Sequence, residues 1–520
     1  MTTEEFAQQA KRECDSGTTT AHHGGGEGRP FWNGYSFQFM YVPAFQFQPI
    51  PGIDRYRYVA LDANGVSHAF ESPTATALLE PIWKDIPEGV VELQVHALDE
   101  AGDDGHQVGA RTFYKLAPFP ADLPPAARSY RETVERIYDY AFQQSYIQHW
   151  LTHGTPDPDY DLNVYPSKMI PAIVTAMVGY ARNYPERAED ALRIARNAAD
   201  YLIGITPSAG EPMAYVPPTY QLDFRDHPET RENLKAAVYF DRVMMIYPAH
   251  AGSAYLLLEK ATGERKYLDA ALRIGAYYRD HVEENGSWYL LRSRTTGEPV
   301  SSNYCAPLER IIPFLMSLHE RTGDGIWKEL ADGALEYVEK DVLASYDWEA
   351  QFEDSRTSAN YSNLSHYGAD ALIRHYCRYH PDSPEHMEAA DDLMRFVEDQ
   401  FVIWKKPSPW NRKGFDTSLW MTPCGMEQYN WHVPIDASTA DICLAFLAMH
   451  KAGRGDLHLE KAKALADSIT RAQQPNGMMP THWMTPEHLQ GKDFWINCMF
   501  STAEALTELA DYLEANGIDG

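Results

Sequence analysis

The chain has 520 residues, 44% hydrophobic and 23% charged, the balance of a globular protein long enough for one small and one large domain. Its 45 Lys and Arg against 74 Asp and Glu give a formal charge of −29, which argues against nucleic acid or an anionic membrane surface as partner. No run approaches the roughly 18 consecutive apolar residues of a membrane helix.

Residues 1–30 are polar and rich in Gly, Thr and His, and are expected to form a loose arm. The opening MTTEEFAQQAKRECDSGTTT has no apolar h-region, so the expectation is a cytoplasmic protein, or a secreted or periplasmic one whose signal peptide has been removed. Residues 31–118 read as β-structure. RYRYVALD (Arg55–Asp62) alternates into an Asn64-Gly65 turn, and VVELQVHALD (Val90–Asp99) alternates Val91, Leu93, Val95 and Ala97 against Glu92, Gln94 and His96. Short strands with such turns predict a small β-sandwich of immunoglobulin or fibronectin type III character. The proline-rich APFPADLPP (Ala117–Pro125) marks a boundary, with residues 119–129 as linker. The six cysteines are scattered without a CxxC pair and read as buried thiols.

From Tyr130 the period becomes 3.6. In Ala249–Tyr289, Leu268, Ala271, Leu272 and Gly275 share one helix face, and a Thr-Gly turn joins two helices. About six such hairpins recur. In each, the first helix is apolar (DICLAFLAMH) and the second amphipathic (LEKAKALADSI), as expected of inner and outer layers. Residues 130–520 are therefore expected to close into an (α/α)6 toroid, making the protein mainly α. The loops entering the first helices are long and aromatic, so functional residues belong at that end.

Four segments concentrate candidates. Trp348–His366 offers Glu353, Asp354, Arg356, Tyr361 and His366, adjacent acids beside a base that could supply a proton donor and a carboxylate clamp. Ser408–Thr439 is a long aromatic insertion carrying Trp410, Arg412, Glu427, Tyr429, Trp431, His432 and Asp436. Asp436 could simply cap a helix, whereas Glu427 has no obvious structural task. Met478–Phe500 contributes His482 and Trp495, and the shorter MIYPAHAGSAY and SSNYCAPLERI contribute His250 and Tyr304. Glu309 and Arg310 read instead as an internal ion pair. GxxxxGK(S/T), a strand-linked GxGxxG, HExxH and GxSxG are all absent, and the histidines lack metal-ligand spacing, so no metal or cofactor is called for.

The phrases LEKATGERKYLDAALRIG, LHERTGDGIWKELADGALEYV and ITRAQQPNG resemble those of six-hairpin glycosidases and their (α/α)6 relatives, over roughly Tyr130–Leu513. Together with RYRYVALDANGVSHAF, PIWKDIPEGVVELQVHALD and ARTFYKLAPF, the chain looks most like the β-glucuronidases of glycoside hydrolase family 154. That resemblance implies exo-removal of glucuronic acid from a glycan. Paired carboxylates would do the work, with Glu427 and Glu353 as the pair and Asp436 and Asp354 in reserve. Arg356, Tyr361, His366 and His432 would hold the sugar, Trp410, Trp431 and Trp495 would wall the pocket, and no cofactor is required. The partner is then a uronate-containing saccharide, with a homo-oligomer left open. The alternatives are a polysaccharide lyase using a pair such as Tyr361 or Tyr429 with His366 or His432, a sugar epimerase or isomerase, and a non-catalytic glycan binder.

Overall fold

The computed structural model describes residues 1–18, 36–99, 101–102, 104–222, 231–352, 363–410, 414, 416–429, 433–484 and 495–518. The N-terminal stretch expected to be a loose arm begins with a helix, α1 (Thr3–Ser16). Thr2 and Glu5 form a reciprocal capping box, and the spacing of Phe6, Ala10 and Cys14 buries one face. Polar composition concealed an i, i+4, i+8 stripe.

The β-region contains β1 (Gln38–Phe39), β2 (Ala44–Gln46), β3 (Tyr56–Leu61), β4 (Ser67–Ser72), β5 (Thr76–Leu78), the one-turn helix α2 (Glu80–Trp83), β6 (Gly89–Leu98) and β7 (Asp104–Lys115). Five strands form one sheet in the order β1-β7-β6-β3-β4, antiparallel except for the β1–β7 pair, while β2 and β5 make a separate two-stranded ribbon. The predicted alternation holds in β6, where Val91, Leu93, Val95 and Ala97 are buried. Where a sandwich would set a second full sheet, this face meets the ribbon and α2. Phe45 of the ribbon lies 5.4 Å from Phe113 and 5.5 Å from Phe39, and Trp83 stacks on Phe113. Aromatic bulk fills the layer that a second sheet would otherwise occupy.

The helical region begins with α3 (Tyr130–Phe142) and α4 (Ser145–Thr152). Five hairpins follow. They pair α5 (Pro166–Asn183) with α6 (Ala188–Ile205), and, after the short α7 (Arg231–Tyr239), α8 (Tyr247–Thr262) with α9 (Arg265–Asp280). Next come α10 (Ile311–Thr322) with α11 (Gly325–Tyr337), and, after a π-helical turn and α12 (Leu343–Ser345), α13 (Tyr367–Tyr379) with α14 (Pro384–Phe401). The last is α15 (Asp436–Lys451) with α16 (Asp456–Ala472). The final helix, α17 (Ile496–Ala515), packs on α3 and on α5, so the two ends of the helical region meet and close the ring. The inner layer is α5, α8, α10, α13, α15 and α17; the outer is α6, α9, α11, α14, α16 and α3. Inner helices approach closely where side chains are small: a Cβ on Gly252 of α8 would fall 2.3 Å from the Phe314 ring of α10. Because each outer helix returns the chain, all inner helices run the same way. Their N-termini, entered by the long loops, share one end.

The β-region docks on the end of α14. Asp399 accepts hydrogen bonds from the Met40 and Tyr41 amides at 2.5 and 2.7 Å, and Glu398 pairs with Lys461 of α16 at 2.7 Å with both side chains almost wholly buried. Tyr41 Oη and Trp404 Nε1, each 2.9 Å away, donate the remaining bonds to Glu398. Every acceptor of this buried carboxylate is engaged, the condition under which a buried charge is tolerable. Among the described residues no helix is long and apolar enough to cross a membrane.

Candidate functional site

At the end of the ring where inner helices begin lie the segments 424–429 and 433–435. Strand β11 (Cys424–Gly425) pairs with β10 (Val402–Ile403), while Met426 bridges to Pro434 and Gln428 to Ser365. Met426 and Gln428 are buried on these contacts, while Glu427 between them is half-buried. Tyr429 is enclosed beneath it, its amide donating to Leu364 O at 2.9 Å and its hydroxyl to Gln400. Gln400 also accepts from Ser36 of the β-region at 2.7 Å. The small domain thus props the strand that presents Glu427.

Around this point the inner helices bring charge together. His366, completely buried before α13, is fixed through Nδ1 by Asp370 at 2.5 Å. Next to it Tyr367 shares a 3.1 Å hydrogen bond with Ser438 of α15. Burial, followed by Glu427 and Asp441, pushes the Tyr367 phenol well above its ordinary range, so it stays protonated. Asp441, one and a half turns into α15, is raised by burial against the pull of Arg374 and His366. Glu309 is raised by burial and by Asp441, against Arg310 and Arg374. These groups, from the loop before α10, from α13 and α15 and from the segment carrying Glu427, feel one another's charge. Glu504 of α17 is raised to about 7, by its protein surroundings and then by Asp441, against Arg182.

Cations stand among these acids. Lys168, in the first turn of α5, lies 4.5 Å over the Trp495 ring and 5.9 Å over Phe352. Arg310 lies 5.7 Å over the Tyr247 ring. The expected Glu309–Arg310 ion pair is not made; the guanidinium turns onto the aromatic face, and the two interact only through space. His250, one turn into α8, is held neutral by burial, then by Arg310 and Lys168. Six converging helix N-termini add positive potential.

Of the sequence candidates, Glu427 acts on Tyr367 beside His366, His250 feels Arg310 and Lys168, and Trp495 lies under Lys168. Asp436 opens α15 but is fully enclosed, accepting from Thr502 Oγ1 at 3.1 Å, and burial raises it far above the usual carboxylate range. His482 is nearly buried and pairs through its backbone with Ile435, which fixes the 433–435 strand. Tyr304 stacks on Tyr289 at 5.1 Å beside a cavity of about 310 Å³ that also takes in Glu309, Tyr337, Asp347 and Glu349. Trp410 is 38% exposed on its loop. Glu353, Asp354, Arg356, Tyr361, Arg412, Trp431 and His432 lie outside the described residues. Lys168, Glu309, Arg374, Asp441 and Glu504 were not among the sequence candidates. For Asp441 the signal was a lone charge inside an otherwise apolar inner helix, STADICLAF. Among the described residues no group of His, Cys, Asp and Glu is arranged to hold a metal ion.

No family model matches this chain, and no curated protein does. Solved structures do. Cellobiose 2-epimerase from Spirochaeta thermophila superposes with a TM-score of 0.50 at 12% identity, covering 74% of this chain and 98% of its own. A family 76 glycoside hydrolase from a bovine Bacteroides thetaiotaomicron strain gives 0.47 at 10% identity over 88% and 93%. Unsaturated glucuronyl hydrolase from Streptococcus agalactiae gives 0.46 at 13% identity over 75% and 98%. At these identities the likeness concerns the fold, and it places the helical region with toroids of the (α/α)6 type.

Proposed function

We propose that the chain is a glycoside hydrolase that removes a terminal uronic acid, β-D-glucuronic acid by preference, from a glycan. The observation that carries this reading is a pair of carboxyls, Asp441 and Glu309, raised by burial and within the influence of Arg310 and Arg374, in a molecule whose net charge is −29. A cationic patch inside so negative a field suits a substrate carboxylate. The carboxyls raised by burial suit proton donation to the leaving oxygen, and Asp441 takes that part. Glu427 is the second carboxylate, activating water or attacking the anomeric carbon, with Glu353 its sequence-based companion. Trp495, backed by Lys168, offers the sugar a flat apolar wall. The resemblance of the scaffold phrases to family 154 β-glucuronidases and the glycan-processing neighbours agree with this reading.

A second reading is favoured by one feature, the buried His366–Asp370 pair, an oriented imidazole of the kind that moves protons on a sugar carbon. On that reading the protein is an epimerase or isomerase of free sugars. The two separate on p-nitrophenyl glycosides. The hydrolase releases p-nitrophenol from the β-D-glucuronide and far less from the β-glucoside and β-galactoside. Absence of release from all three, with conversion of a free sugar seen by NMR, would overturn the hydrolase in favour of the isomerase.

A further inference from the structure

Away from the proposed catalytic residues, a second cavity of about 510 Å³ lies between the segment 211–215, the last turns of α9 and the turn that follows β9 (Leu291–Ser293), on the loop end of the ring. It belongs to the loop end because outer helices finish where inner helices start. We propose that this groove is a non-catalytic saccharide-binding site that takes a stretch of pyranose chain. The choice of a saccharide rests on the proposed hydrolase function; the existence of the groove does not.

Two flat surfaces line it. Tyr215 is half-buried, with the Arg273 guanidinium 5.2 Å over its ring. Tyr277 stacks on His281 at 3.9 Å and 12°, and its hydroxyl contacts Met213 Sδ at 3.1 Å. Aromatic faces of this kind complement the C–H face of a pyranose. The rim carries Glu211, Asp280 and Glu298 against Arg273 and Arg292, a near balance that contrasts with the strong negative charge of the whole. Such a mixture of donors and acceptors recognises hydroxyl groups better than a net charge. Arg292, 7% exposed, is fixed by Glu283 and Gly297 O, so this edge is rigid.

The backbone supports a binding role. Met213 and Tyr215 adopt φ values of 58° and 67°, the left-handed region that non-glycine residues seldom enter. A plain connector would place glycine there; here strain is accepted at two of three consecutive positions, and the outcome is that Tyr215 is presented to the groove. The segment is held by Glu211, which accepts from the Ser208 amide and hydroxyl at 2.7 and 2.6 Å.

The test uses an array of immobilised neutral and uronate-bearing oligosaccharides, probed with the full-length chain carrying Glu427→Gln so that bound saccharide is not turned over. Binding is expected, reduced at least tenfold by adding Tyr215→Ala or Arg273→Ala and retained with Tyr215→Phe. Arg273→Ala, an exposed helix substitution, guards against a folding effect of the strained position. In the otherwise native chain, Tyr215→Ala and Arg273→Ala leave hydrolysis of p-nitrophenyl glucuronide unchanged. Binding that ignores both alanine variants, or no binding to any saccharide, would overturn the proposal. Failure of the hydrolase reading would show separately, as an array signal that still depends on Tyr215 in a chain that hydrolyses no aryl glycoside.

Discussion

The molecule buries charge in two places and treats it in opposite ways. Where the β-region meets α14 and α16, Glu398 and Lys461 are shut from water and saturated with partners: one carboxylate, one ammonium, one phenol and one indole in a closed set. Around the ring, Asp441 and Glu309 keep accessible surface, and burial pushes both up, Asp441 adding to the rise of Glu309. The first arrangement is what stability requires of a buried ion pair. The second costs stability, and such strain concentrates where protons must be moved.

The comparison can be broken most forcefully at the closed set. Lys461→Met leaves Glu398 buried without its counter-charge and is expected to lower unfolding free energy by about 3–5 kcal/mol, measured by urea denaturation. Beside Glu309, Arg310→Leu is expected to weaken glucuronide binding by roughly 10–100-fold in KM while leaving the fold intact, because it removes a charge-assisted contact and no structural ion pair. A smaller effect separates the two regions by pH. Asp399 is raised to about 7 by burial, despite its bonds from the Met40 and Tyr41 amides. A raised carboxyl contributes stability in full below its unfolded value near 4, and loses it as pH rises through 7. Asp399→Asn keeps the acceptor and removes the titration, so its denaturation midpoint should gain on the wild type between pH 5 and 8, by on the order of 1–3 kcal/mol. Equal pH dependence in both chains would remove Asp399 from the account.

The toroid was legible because its signal is repeated: apolar inner helices, amphipathic outer ones, short turns such as Thr262-Gly263 with a left-handed glycine between them. α1 was missed because three buried residues among polar ones carry little weight in composition. The second β-layer was misjudged because a sandwich and a sheet capped by aromatic residues share the same strand pattern. For the proposed site, Glu427 was named from its position in an irregular loop. Asp441 and Glu504 were not, because a helix interior reads as scaffold until the fold shows what surrounds it. The enclosure of Tyr429 was equally invisible, since the partner that holds its hydroxyl, Gln400, lies 29 residues earlier and is itself held by the β-region.

The most direct measurement takes Asp441→Asn and Glu427→Gln and records stability and activity together, by urea denaturation and by release of p-nitrophenol from its β-D-glucuronide. The account predicts that kcat falls by roughly 10²–10⁴-fold in each, while unfolding free energy stays within about 1 kcal/mol of the wild type or rises, as expected when a strained functional charge is removed. Full activity in both variants, or a loss of activity that merely follows a loss of folding, would contradict the assignment of Asp441 and Glu427 to chemistry.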